Sequence, residues 1–482
     1  MKRLNELFDV DSDLPIYTIH NDSRYVKPYS VFFCFEGLSF DGHQYVEVAI
    51  FQGAKCIVHS KALEHYEEGI IYIFVDDVLA ELNRVSNIFY ENPSQKLKTV
   101  GVTGTAGKTT VTLLVNQVLS KFCKTGYIGT ISTSYLGNII NSPYTTPDSL
   151  FIQQQLNAMV KADVKIATIE TSSHGLALNR VDGIEFDITV MTNIGHQHLD
   201  FHGTIEHYVE SKLSLFKLQK KSGIAIINHD DEYAEKFIDA SQGRIITYGI
   251  NKQSDVMASN INLKINHSYF DLLLKGNTYR IKTDLISMSS IYNILALVAV
   301  LQALGLDEEI IVKQLDNLKY IDGRLQCYTT NRYATVIIDY CQTTKNYRDI
   351  LSFVDEAKNP NGRVIAVVGS PSKRFVKQRK RIGELVDQYC NHAIITRVDE
   401  RDEDFESIVE DIQEGIYDCQ NIAIIDRQIA IEQALEIANK DDVVLILGKG
   451  HEKYMDSPVG QVPYLGDEEI VKLFNEGEKN EL

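Results

Sequence analysis

Short runs that are apolar almost throughout alternate along this chain with longer stretches whose apolar residues recur every three or four positions. The runs are "KTVGVTG", "VKIATIE", "FDITVMTN", "GIAIIN", "TVIIDY", "RVIAVVGS", "HAIITRVD", "NIAIID" and "DVVLILGKG". Continuous apolarity over so few residues predicts strands buried on both faces, and the amphipathic stretches between them predict helices covering a mostly parallel sheet. After the first run, Val111, Leu114, Val115, Val118, Leu119 and Phe122 follow i, i+3, i+4, i+7 spacing, which predicts a helix with one buried face.

The alternation breaks at "YENPSQKLK" (90–98) and at "YIDGRLQCYTTNRY" (320–333), which divides the chain into residues 1–96, 97–328 and 329–482. A length of 482 residues is too great for one core, in keeping with three α/β domains. Composition refines this picture in three ways. The net charge of −18 argues against nucleic acid and anionic membranes as general partners, and local cations must overcome that field at any polyanion site. No apolar run approaches the roughly 18 residues of a membrane span, and "MKRLNELFDVDSDLP" lacks the core of a secretory signal. The cysteines at 34, 56, 123, 327, 341, 390 and 419 are scattered without a CxxC pair, as expected of reduced thiols in the cytoplasm.

The first strand runs into Gly104-Thr105-Ala106-Gly107-Lys108-Thr109-Thr110 and then a helix. Backbone amides without bulky side chains, a helix N-terminus and a lysine suit the phosphates of ATP, with Thr109 reaching Mg²⁺. The spacing departs from GxxxxGK[ST] because Val102 stands at the first glycine's place. A GTPase reading rests only on "NKQSD", which has one residue too many for a guanine-reading motif. Glu170 ends the next strand and would hold metal; a second Mg²⁺ shared between Glu170 and His198 is preferred here. The alternative is zinc on His196, His198 and His202, an HxHxxxH spacing with no further ligand in sight. Lys212, among Leu213, Leu215 and Phe216, reads as a solvated charge beside a core-facing helix stripe.

Together "NDSRYVKPYSVFFCFEGLSFDGH", "GTAGKTT", "TTPD", "ETSSHGLALNRVDG", "HLDFHG", "SKLSLF", "INHDD", "IIDY", "RVDERDED" and "GKGHE" resemble, in order and spacing, the Mur ligases, and within them the tripeptide-synthetase branch. The resemblance implies a small N-terminal domain that binds the uridine nucleotide, a central P-loop-type ATP-binding domain, and a Rossmann-like C-terminal domain that binds an amino acid. The implied reaction is ATP-dependent amide formation on UDP-MurNAc-L-Ala-D-Glu through an acyl phosphate, by a monomer. It implies Ser23, Arg24 and His43 as uridine-nucleotide contacts, and Thr145, Thr146, Ser173 and Arg180 as contacts for the muramoyl-dipeptide. It places Asn293, Arg324 and Asp339 on ATP, and makes Lys212 a carbamylated lysine that ligates the second Mg²⁺. From the residues alone, Asn293 also reads as a helix cap.

Arg374, Asp399, Arg401, Gly448 and Glu452 match positions that contact the incoming amino acid. Arg401 suits the distal carboxylate of meso-diaminopimelate, whereas Asp399, where diaminopimelate-adding relatives carry asparagine, suits an ammonium. The balance favours meso-diaminopimelate, then L-lysine. The chain departs from the family pattern at Gln197, Ser290, Gln342 and around 370–375. A paralogue acting on another carboxylate, such as a folylpolyglutamate-type enzyme, and a non-catalytic nucleotide-binding scaffold are the alternatives. The basic run 372–381 reads mainly as a solvated helix face, with Arg374 turned to the site.

Overall fold

The computed structural model describes residues 1–481 apart from 38, 39, 143, 374, 375 and 400. Its strand Lys98–Thr103 pairs in parallel with Ile166–Glu170 on one side and Phe186–Met191 on the other. The surrounding strands run in the order Asn138–Ile140, Thr133–Tyr135, Thr125–Ile128, Ile166–Glu170, Lys98–Thr103, Phe186–Met191, Gln219–Asn228 and Arg244–Gly249. The pairings from Thr125–Ile128 onward are parallel and the outer hairpin is antiparallel. Helix Lys108–Leu119 buries Val111, Leu114, Val115, Val118 and Leu119, as the spacing predicts. Phe122 departs from the pattern: the helix has ended, and the ring is 51% exposed in the turn beyond it.

Four short parallel strands, Thr18–His20, Ser30–Phe33, Ala54–His59 and Ile71–Phe74, form a separate N-terminal sheet. Helix Val78–Phe89 covers it, placing Val78, Leu82 and Val85 against Ile19, Val31, Phe33 and Val58. Asp77 caps that helix by accepting from the Leu79 and Ala80 amides at 2.9 and 3.0 Å. Residues Met1–Val256 and Leu295–Leu306 make one unit, and Met257–Ile294 with Asp307–Leu482 make a second.

The second unit holds a sheet ordered Gln326–Thr329, Thr335–Asp339, Val443–Leu447, Val364–Val368, His392–Ile395 and Gln420–Ala423, parallel except at its first edge. Alternate residues enter different cores. Ile337, Ala366 and Leu445 pack with helices Thr344–Ala357, Arg379–Tyr389 and Phe405–Gln413, while Val336, Ile365 and Val444 pack with Arg427–Ile437 and Asp467–Glu481. This two-sided burial is the physical reason the strands read as unbroken apolar runs. All nine runs singled out in the sequence are strands. The antiparallel pair Ser268–Leu274 and Asn277–Thr283 alternates buried and open residues instead, so the apolar-run criterion passes over it.

In helix Met288–Ala303, Ile291 and all residues from Ile294 to Leu301 are fully buried. A helix apolar on every side belongs in an interior. Among the described residues no helix is long and apolar enough to cross a membrane.

Candidate active site

The glycine turn lies where strand Lys98–Thr103 meets helix Lys108–Leu119. At Gly104, φ is +144°, and a Cβ would come within 1.9 Å of the Thr192 hydroxyl, so only glycine fits. The Thr105 amide donates to the Asn193 carbonyl at 2.7 Å and the Ala106 amide to the Asn193 side chain at 3.0 Å. Two of the amides expected to wrap phosphate are thus engaged inside the chain. The first-turn N–H groups of helix Lys108–Leu119 have no preceding helical turn to donate to, and a helix end of this kind suits an anion. Lys108 Nζ lies across the turn, donating to the Gly104 and Thr105 carbonyls at 2.8 and 3.0 Å.

Parallel register sets Glu170 opposite Val102, level with the start of the turn. Its carboxylate is 0% exposed and accepts from Thr109 Oγ1 at 2.8 Å, Tyr127 Oη at 2.5 Å, and the Thr130 amide and hydroxyl at 3.0 Å each. Buried carboxylate and hydroxyl oxygens side by side are the donor set a hard cation takes, so Thr109 and Glu170 fit Mg²⁺. Asn193, Tyr127 and Thr130 belong to this site although the sequence did not single them out. Asn193 and Thr130 both follow the C-terminal ends of strands in this sheet, the end at which such folds build sites.

Helix Ile205–Lys217 places Lys212 one turn from Tyr208, and its Nζ donates to the same Gly104 carbonyl at 2.8 Å. Lys212 is 1% exposed, which overturns its reading as a solvated surface charge. Burial, with Lys108 adding to it, pushes its amine well below the usual lysine range, so the neutral form is favoured. His198 keeps an open face but packs edge-on against His174, with ring centroids 4.8 Å apart. Desolvation, then His174, Lys108 and Lys212, push its imidazole down to about 4, leaving it neutral. The zinc alternative fails: His202 turns inward against His174 and Tyr208, His196 is exposed, and among the described residues no three His, Cys, Asp or Glu side chains could hold a metal.

Thr146 is buried; its hydroxyl donates to the Glu170 carbonyl at 2.8 Å and accepts from the Ser172 amide at 2.9 Å, fixing the corner after Glu170. Arg180 donates to the Thr146 carbonyl at 2.8 Å and lies over the Tyr144 ring, and Thr145 accepts from Thr130 Oγ1 at 3.0 Å. Ser173 begins the helix that Ser172 caps. In the N-terminal sheet's loops, Ser23 is buried and Arg24 is exposed against Asp22 at 2.6 Å. His43 Nδ1 lies 2.6 Å from Asp41, and its Nε2 accepts from the Ser60 amide at 3.2 Å.

In the second unit, Gly323 permits a close approach: a Cβ there would sit 2.2 Å from the His451 amide. That contact joins the 323–324 corner to "GKGHE". Arg324 stacks over Tyr340 at 4.8 Å, and its buried Nε has no hydrogen-bond partner. Asp339 accepts from the Leu325 amide at 2.9 Å, and burial pushes its carboxyl up to about 6 against the pull of Arg324. Asn293 lies in the second turn of helix Met288–Ala303, so it is no cap; Ser287, whose hydroxyl accepts from the Ser290 amide at 3.3 Å, serves that end. Gln342 donates to the Gly448 carbonyl at 3.2 Å.

Around the amino-acid motif, buried Lys449 reaches Asp399 at 2.9 Å and Glu452 at 2.5 Å, while Arg401 pairs with Asp456 at 2.9 Å. Arg374 lies outside the described residues. In the basic run, Lys373 pairs with Asp402, Lys380 with Glu414 and Arg381 with Glu384, and Arg379, contrary to a solvated role, is fully buried against Glu403 and Asp411.

Three family models match the chain: the Mur ligase family catalytic domain at 15–95, the Mur ligase middle domain at 102–301, and the Mur ligase glutamate ligase domain at 323–450. A UDP-N-acetylmuramoyl-L-alanyl-D-glutamate–2,6-diaminopimelate ligase of Caldanaerobacter subterraneus subsp. tengcongensis is 36% identical over 95% of this chain and 94% of its own. A UDP-N-acetylmuramyl-tripeptide synthetase of Borreliella afzelii is 36% identical over 95% of this chain and 93% of its own. Among solved structures, a UDP-N-acetylmuramoyl-L-alanyl-D-glutamate–2,6-diaminopimelate ligase aligns with a TM-score of 0.72 and 25% identity over 99% of both chains. The MurF ligase of Thermotoga maritima, solved with ADP, shares the fold with a TM-score of 0.65 at 18% identity over 98% of this chain and 100% of its own.

Proposed function

Because this chain belongs to the Mur ligase family, we propose that it joins an amino acid to the terminal carboxylate of UDP-MurNAc-L-Ala-D-Glu at the expense of ATP, with meso-diaminopimelate favoured over L-lysine. The observation that carries the reading is the gathering of Lys108, Thr109, Glu170 and Lys212 at one glycine turn. A carboxylate and an ammonium do not condense unaided at neutral pH. In the proposed reaction a substrate carboxylate oxygen attacks the γ-phosphorus, ADP leaves, and the acyl phosphate is captured by the amine. Phosphate then departs with that oxygen as the amine sheds its proton.

Each residue has a physical task in this scheme. Lys108 and the helix N-terminus neutralise phosphate oxygens. Thr109, Glu170 and His198 would hold Mg²⁺, which supplies charge stabilisation to the transferring phosphoryl group. Lys212, buried and with its amine pushed toward the neutral form, is set to add CO₂ through its nitrogen and lose a proton; the resulting carbamate supplies an anion in place of a basic amine. Arg324, Asp339 and Asn293 are assigned to the nucleotide; Ser23, Arg24 and His43 to the uridine diphosphate; Thr145, Ser173 and Arg180 to the muramoyl-dipeptide; and Arg401, Asp399, Gly448 and Glu452 to the amino acid. The division 1–96, 97–328 and 329–482 is proposed on the separate N-terminal sheet and the three matched stretches. The enzyme is placed in the cytoplasm as a monomer; seven free thiols support that compartment.

The test follows phosphate release from ATP and Mg²⁺ with UDP-MurNAc-L-Ala-D-Glu and single amino acids. Release stimulated by meso-diaminopimelate is expected. Release that no amino acid stimulates would contradict the ligase reading, and stimulation by L-lysine alone would overturn the specificity.

A further inference from the structure

We propose that Asp456 is a specificity-determining residue: with Arg401 it forms a pair of opposite charges that accepts the zwitterionic far end of a 2,6-diamino diacid. The inference deepens the amino-acid assignment above and rests on it. Among the described residues, Asp399, Glu452 and Asp456 are carboxylates of this region. Asp399 and Glu452 are both buried and share Lys449, and Glu452 also accepts from Tyr340 at 3.0 Å and Tyr454 at 3.2 Å. Two acids on one lysine keep a net negative charge, but burial and these bonds leave Asp399 less reachable for an incoming ammonium than an open carboxylate.

Asp456 differs. It and Arg401 are 27% and 29% exposed, so both remain reachable while joined at 2.9 Å. The pair is also built to persist. The Arg401 amide donates to the Asp456 carbonyl at 3.2 Å, the Asp456 amide donates to Asp399 at 2.9 Å, and Gln461 donates to the Asp456 carboxylate at 3.4 Å. Arg401 holds φ at +46°, a left-handed conformation that a long side chain adopts at a cost and that marks a position fixed by its surroundings.

A lone guanidinium would take any carboxylate. A guanidinium beside a carboxylate presents no net charge, so a ligand bearing one charge meets attraction from one partner and repulsion from the other. The ε-ammonium of L-lysine faces Arg401; a bare distal carboxylate faces Asp456. An end carrying both ammonium and carboxylate matches both, each through a charge-assisted hydrogen bond.

The experiment compares kcat and KM of the full-length enzyme and its Asp456→Asn and Asp456→Glu variants for meso-diaminopimelate, 2-aminopimelate and L-lysine. The second of these keeps the distal carboxylate without the ammonium. The wild type should prefer meso-diaminopimelate to 2-aminopimelate by about tenfold or more, the worth of one charged hydrogen bond. Asp456→Asn should erase most of that preference through KM, and Asp456→Glu should restore part of it. Thermal midpoints and turnover at saturation report whether the variants fold. An unchanged preference in Asp456→Asn, or tighter meso-diaminopimelate binding there, overturns the role of Asp456 while leaving the ligase reading intact. A wild type that turns over L-lysine but not meso-diaminopimelate overturns the amino-acid assignment itself.

Discussion

Lys108 and Lys212 donate to one acceptor, the Gly104 carbonyl, each at 2.8 Å. Lys212 is buried, whereas half-buried Lys108 also donates to the Thr105 carbonyl at 3.0 Å, so burial, with the Lys108 charge beside it, pushes the Lys212 amine well below the usual lysine range. A neutral amine at that place is a nucleophile for CO₂.

Removing CO₂ from the assay should therefore depress ligation, and bicarbonate should restore it. With ¹³CO₂, the wild type should show a carbamate resonance that Lys212→Met lacks. That variant should lose about 100-fold or more in kcat, the scale of losing one preorganised charge at a reacting phosphoryl group.

Thr146 acts through the corner it fixes. Thr146→Val leaves the Ser172 amide without its acceptor and should cost about 1–3 kcal/mol, visible as a lower thermal midpoint.

The pair of buried Arg379 with half-buried Glu403 gives a pH signature. Hydrogen bonds from Arg379 hold the Glu403 carboxyl down to about 2, against an ordinary value of 4.5. A depressed carboxyl stabilises the fold fully above its unfolded value and loses that contribution as pH falls toward 2. Glu403→Gln should lower stability at pH 7 and flatten the acid limb below about pH 4.5 in thermal unfolding across pH.

Much of this was legible in the sequence. The strand–turn–helix around Lys108 and the strand-end Glu170 follow from local pattern, because buried parallel strands leave continuous apolar runs. The N-terminal strands escaped because runs such as Thr18–His20 are too short to show a period. The state of Lys212 was hidden for another reason: its helix stripe says which face is buried, but the Gly104 carbonyl that receives the side chain lies far away in sequence. The pairing of Asp399 with Lys449, and of Arg401 with Asp456, likewise depends on strands that meet only in the folded sheet and its adjoining hairpin.

Gly104→Ala should fold poorly or lose nucleotide affinity, because the methyl group would collide with Thr192. Titration with ADP, alongside a thermal midpoint, separates the two outcomes; full affinity at an unchanged midpoint would contradict the geometry of the turn.

The transfer of oxygen tests the chemistry most directly. With ¹⁸O in both oxygens of the accepting carboxylate of UDP-MurNAc-L-Ala-D-Glu, each phosphate released during ligation should carry one ¹⁸O, read by mass spectrometry. Unlabelled phosphate accompanying amide product would show that the carboxylate never became a mixed anhydride with phosphate.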